Sequence, residues 1–112
     1  ASRRDIKKAV IPSFIKKIQS HAFDHCQMLQ KVEIPCNSQL VSLGAFAFAF
    51  TSFSSIFIPQ NVVTIENNCF YMMKCNKIIE IDENSKLKSI RFVFYEYGNI
   101  IMIPSKLRNI EL

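Results

Sequence analysis

Apolar residues sit two apart in a series of short segments: LQKVEIP (29–35), FSSIFIP (53–59), NKIIEID (76–82) and GNIIMIP (98–104). This alternation predicts short strands with one buried face. The segments close on the dipeptide Ile-Pro, which also occurs near the N-terminus, so that it stands at positions 11, 34, 58 and 103. Ile81-Asp82 stands where one more dipeptide is due. The spacings are 23, 24 and 45 residues, the last being two periods. A period in this range predicts an array of units, none of which can bury its apolar face without a neighbour.

Further columns share the period. After each dipeptide comes an apolar pair: Ile15 and Ile18, Leu40 and Leu43, Val62 and Ile65, Leu87 and Ile90, Leu107 and Ile110. A small residue and a Phe follow: Ala22-Phe23, Ala47-Phe48 and Cys69-Phe70, with Val93-Phe94 one residue early. Phe23, Phe48, Phe70 and Phe94 are therefore expected to form one buried column, and Ile18, Leu43, Ile65, Ile90 and Ile110 another. The stretch GAFAFAFTSF (44–53) falls into this register. Phe48 and Ala47 belong to columns, and Phe53 takes the place of Leu29. Phe46 and Phe50 are supernumerary; they either fill space beside small residues or stay exposed on the side away from the strands.

The pattern I-P-x-x-[IV]-x-x-I-x-x-x-A-F-x-x-C-x-x-L-x-x-[IV]-x-I-P, best matched by residues 11–35, resembles the BspA-type leucine-rich repeat. The resemblance covers about residues 9–112. It implies a leucine-rich-repeat right-handed solenoid, α/β to mostly β. A parallel β-sheet forms one face, with turns, short strands or short helical turns on the other. Residues 1–8 would be a basic segment and partial cap, and 9–112 a single solenoid domain. That domain divides into four full repeats (about 11–33, 34–57, 58–80 and 81–102) and a truncated fifth (103–112). The pattern has departures. The second and fourth units carry two extra residues, in CNSQL and ENSKL, the fourth is short in its second half, and Asp82 replaces Pro.

The strand alternation assigns a solvent face. Val10, Glu33, Phe57, Glu80 and Met102 are expected to point outward in one row, and Lys8, Lys31, Ser55, Ile78 and Ile100 in the other. Phe57, Ile78, Ile100 and Met102 would form an apolar patch edged by Glu33, Glu80 and Lys31, the kind of surface that contacts a protein partner. Leu107, Ile110 and Leu112 continue the apolar columns to the last residue. An open strand edge there is a template for association. End-on docking through residues 101–112, or membership of a longer array, is therefore expected.

Charge changes the picture little. The formal net charge is +5, and residues 1–35 hold seven Lys/Arg against three Asp/Glu. Arg3, Arg4, Lys7, Lys8, Lys16 and Lys17 account for most of that excess. No aromatic residues interleave them as a stacking platform for bases requires, so they carry no specific nucleic-acid signal. A solvated chain end explains them. Residues 34–65 lack charge over a length that could span a bilayer. The repeat register already explains every Ile there and most of the Phe, and Ser, Thr and Pro interrupt the run. No transmembrane helix is expected.

The candidate chemistry is sparse. His21, Asp24, His25 and Cys26 are zinc-ligand types within six residues. Phe23 must face the core, however, and the resemblance puts Cys26 at a buried position, which leaves the histidines on exposed turns. Gly44 and Gly98 are the only glycines, too few for a phosphate-binding loop, and G-x-S-x-G does not occur. Cys26 adjoins His25 in sequence, where the two side chains diverge. No catalysis, metal or cofactor is expected. Cys26 and Cys69 lie two units apart, roughly 10 Å at strand spacing, beyond the reach of a disulfide. Cys36 and Cys75 fall at different corners, so the four cysteines suggest no bridge.

These features point to a non-catalytic protein–protein interaction module. The resemblance implies a ligand-binding, adhesin-like segment of a microbial cell-surface protein. Thiols without an evident bridge and the absence of N-x-Ser/Thr sequons fit a reducing compartment instead. On that alternative the chain is an intracellular structural component docking into a larger assembly.

Overall fold

The computed structural model describes residues 5–71, 78–88 and 100–102, the last as backbone. Among the described residues there are eight short strands and no helix. The strands are β1 (Lys8–Val10), β2 (Lys17–Ile18), β3 (Lys31–Glu33), β4 (Ser42–Leu43), β5 (Ser55–Ile58), β6 (Thr64–Ile65), β7 (Ile78–Ile81) and β8 (Ile100–Met102). All their pairings are parallel and join residues about one period apart.

The outward rows fall as the alternation predicts. Lys8 is opposite Lys31 and Val10 opposite Glu33. Ser55 is opposite Ile78 and Phe57 opposite Glu80, and the backbone register of β8 sets Ile100 opposite Ile78 and Met102 opposite Glu80. Between them Ala9, Val32, Ile56 and Ile79 are buried, as the two-residue side-chain period of a strand requires. A second ladder, β2–β4–β6, buries Ile18, Leu43 and Ile65 and turns Lys17, Ser42 and Thr64 outward.

The expected single sheet on the first face is divided. β1–β3 form one piece and β5–β7–β8 another. β3 and β5 are in contact, but among the described residues no backbone hydrogen bond joins them. Spacings along this face are 23, 24, 23 and 22 residues, and the seam falls at the longest, Lys31 to Ser55.

Hydrogen-bonded turns form the remaining side. The N–H groups of His21, Phe23 and His25 donate to the carbonyls of Ala45, Ala47 and Ala49 at 3.0, 2.7 and 2.9 Å. Phe48 and Phe50 N–H repeat the pattern onto Cys69 and Tyr71, both at 2.9 Å. His21, His25, Phe46, Phe50 and Asn68 have φ between 57° and 64°. A left-handed residue every fourth position stops each turn from continuing as a helix, at a steric cost for side chains other than Gly.

The two insertions are ordered and alike. In CNSQL the Ser38 N–H donates to the Pro35 carbonyl at 3.0 Å, and the Ser38 hydroxyl oxygen accepts from Leu40 N–H at 3.0 Å. In ENSKL the Ser85 N–H donates to the Asp82 carbonyl at 3.0 Å, and Ser85 accepts from Leu87 N–H at 3.0 Å. Asp82 therefore keeps the turn that Pro35 makes. It adds a bond of its own, its carboxylate accepting from Asn84 N–H at 2.7 Å. Its N–H donates to the Ile58 carbonyl at 3.1 Å, which a proline could not do.

The core follows the columns. Phe23 and Phe48 stack at 5.3 Å and 4°, and Phe48 and Phe70 at 5.8 Å and 8°. Phe48 and Phe70 are fully buried, whereas Phe23, at the end of the described stack, is half-buried. Phe53 closes the stack edge-on to Phe48 at 5.4 Å. Buried Thr51 stands where the first unit has Cys26, and its hydroxyl donates to the Phe48 carbonyl at 2.6 Å, as a buried polar group requires. Phe94, Ile90 and Ile110 lie outside the described residues.

Candidate functional site

The outward strand face combines charge and exposed apolar surface. Val10 and Ile78 are 58% and 42% exposed, and Phe57 is half-buried between them. Large apolar side chains grouped on one strand face are unusual unless something covers them. At one end Glu33 is held by two lysines. Lys8 Nζ lies 3.0 Å and Lys31 Nζ 3.4 Å from its Oε1. Hydrogen bonds from Lys8 and then Lys31 hold the Glu33 carboxyl below the usual carboxylate range. Glu80 differs: among the described residues no cation lies within ion-pair distance of it.

The seam between the two sheet pieces opens on this face as a cleft of about 410 Å³. Outward residues Val10, Glu33, Phe57 and Glu80 form its rim, and Val32 and Ile56 of the inward rows also line it. The cleft thus lies over the seam, with its lining drawn from both sheet pieces. The structure therefore brings Phe57, Ile78, Glu33 and Glu80 together around one opening, with Lys31 beside Glu33. Ile100 and Met102 extend the rows in β8 by backbone register. Leu107, Ile110 and Leu112, the residues expected to dock end-on, lie outside the described residues, as does Cys75.

A second surface explains the supernumerary phenylalanines. The His21 ring stacks on Phe46 at 5.2 Å and 1°, and the His25 ring on Phe50 at 4.3 Å and 14°. Tyr71 meets both phenyl rings edge-on at 5.6 Å. Asp24 sits between the imidazoles: His21 Nδ1 hydrogen-bonds its Oδ2 at 2.9 Å. His25 Nδ1 is 2.7 Å from Oδ1, but Oδ1 has no hydrogen-bond partner, so this is a close contact without hydrogen-bond geometry. Phe46 and Phe50 are thus half-buried under imidazole lids. The signal in the sequence is positional, since His21 and His25 flank Phe23 by two residues, as Phe46 and Phe50 flank Phe48.

Among the described residues no cluster of His, Cys, Asp or Glu is placed to hold a metal ion. Cys26 and Cys69 are buried thiols and Cys36 an exposed one. Burial pushes the Cys69 thiol far above its ordinary range, only partly countered by hydrogen bonds from the Phe48 and Ala47 backbone. It is therefore a packing group rather than a nucleophile. Among the described residues no helix is long and apolar enough to cross a membrane.

No curated protein and no solved structure matches the chain significantly. The sequence profile described as "BspA type Leucine rich repeat region" matches residues 2–112 in six copies. With the profile covering nearly the whole sequence and the parallel strands paired at its period, the chain belongs to the BspA-type leucine-rich repeat family.

Proposed function

We propose that the chain is a right-handed solenoid and a non-catalytic protein-binding module, whose contact surface is the outward face of β1, β3, β5 and β7. The observation that carries this reading is the grouping of exposed Ile78, half-buried Phe57 and an open cleft on one strand face. Membership of a repeat family that generally serves protein interaction supports it. Its ligand-binding, adhesin-like use at a cell surface is the reading the family favours. To test the surface, proteins captured by the immobilised chain are compared with those captured by Phe57→Ala and Ile78→Asp variants. A specific partner lost on both variants, with urea midpoints little changed, is the expected result. Capture insensitive to both substitutions would place the binding surface elsewhere.

A specific observation favours a second reading. Cys26 and Cys69 are buried thiols and Cys36 is exposed, a state that suits a reducing compartment and a structural role in an intracellular assembly. Labelling intact cells with a membrane-impermeant amine reagent separates the two. A cell-surface protein is modified before lysis, an intracellular one only after it. End-on docking through Leu107, Ile110 and Leu112 belongs to either reading. Light scattering of the chain, repeated with Leu107→Asp and Ile110→Asp, tests it by whether an associated species dissociates.

A further inference from the structure

The rim of the seam cleft carries a carboxylate that no cation pairs among the described residues, beside apolar surface. Glu33 is neutralised by Lys8 and Lys31, whereas Glu80, one strand beyond Phe57 in the same row, has no such partner among the described residues. The strand edges below are also incomplete. Backbone groups that pair across β1–β3 and β5–β7 find no backbone partner across β3–β5 among the described residues. Polar groups in such a seam are left to water or to a ligand. A lone carboxylate at an apolar opening repels acidic partners and favours cationic ones.

We propose that the cleft takes a bulky apolar side chain from an extended segment of a partner protein, and that Glu80 receives a lysine or arginine two residues along that segment. The inference rests on the strand face being the binding surface, and it names the partner's chemistry. The spacing follows from the sheet. The seam midline and β7 are about one and a half strand spacings apart, roughly 7 Å. Residues i and i+2 of an extended chain are also separated by roughly 7 Å and point the same way. A segment crossing the strands can therefore place one side chain in the cleft over the seam and the next on the same face at Glu80. Ile78 and Phe57 would cover the aliphatic stem of the cation.

The test is to pan a random heptapeptide display library on the whole chain, then measure binding of the selected peptides to the chain and its variants. Peptides with a large apolar residue two positions from Lys or Arg should be enriched. Their affinity should fall about fivefold on Glu80→Gln, the scale of losing a charge-assisted contact at a partly exposed site. Selection against Glu80→Lys should exchange the basic residue for Asp or Glu. Both variants change an exposed side chain, and circular dichroism confirms that each is folded. Peptides that need Phe57 but bind wild type and Glu80→Lys equally would overturn the cationic partner while leaving the surface intact. Peptides indifferent to Phe57→Ala, or no enrichment at all, would overturn the surface and this inference with it.

Discussion

Phe70 and Gly44 show opposite uses of side-chain volume. Phe70 is fully buried and stacked on Phe48, so its removal leaves a cavity between aromatic rings. Phe70→Ala is expected to lower unfolding free energy by about 3–5 kcal/mol in urea titration. A midpoint unchanged by that substitution would contradict the core register. At Gly44 no volume can be added. A Cβ there would stand 2.4 Å from the Ser20 nitrogen and 2.7 Å from the Gln19 carbonyl carbon, both backbone atoms of the preceding unit. Replacing glycine by alanine usually reduces unfolded-state entropy and stabilises. Here the two units must separate first, and Gly44→Ala is expected to destabilise by about 1–3 kcal/mol, the range for overpacking. A gain in stability would show that the units have room at this point.

At the scale of strands and turns, β1 is attached partly by charge. Lys8 reaches across to Glu33 on β3, and the lysines hold the Glu33 carboxyl below its ordinary range. A carboxyl whose pKa is lowered by folding stabilises above its unfolded value, about 4.3 for Glu, and ceases to as pH falls through the folded value. Wild type is therefore expected to be more stable than Glu33→Gln at neutral pH, with the difference closing in acid and shrinking with added salt. A difference that persisted at pH 2 would assign it to packing instead. The strand elements were legible because two periods coincide. The two-residue alternation fixes which side of Ile56 or Ile79 faces in, and the 23-residue repeat fixes its neighbour. The seam between β3 and β5 was not legible, because the distance between two backbones leaves no mark in the pattern of either strand. The lids over Phe46 and Phe50 were hidden for another reason. They need a 25-residue offset between the first two turns and left-handed φ at both ends of each stack. Alternation analysis, tuned to strands, sees only surplus phenylalanines. The insertions looked like damage to the repeat, yet Ser38 and Ser85 close the same turn.

Across the whole molecule, the seam weakens one face without dividing the fold. β2–β4–β6 runs unbroken through the first three units, and the turn ladder joins the same units from His21 to Tyr71. One buried cluster extends from Ala9 to Leu87, so apolar contact continues beneath the gap. In a repeat array, stability is a sum of unit terms and interfaces between neighbours, and cooperativity survives as long as the interfaces are strong. The described units should therefore unfold in one transition, coincident by circular dichroism and by tyrosine fluorescence. Position in the stack should then set the cost of losing a ring. Phe48 has Phe23 on one side and Phe70 on the other, so Phe48→Ala removes material from two interfaces. Phe23 is half-buried and stacks on a single described ring, so Phe23→Ala should cost distinctly less. Two separated transitions, or equal losses for the two variants, would mean that the seam at β3–β5 uncouples the first unit from the rest. The continuous ladders on the other two sides argue against that outcome, because any opening at the seam must also break the Phe23–Ala47 and His25–Ala49 bonds before the units can part.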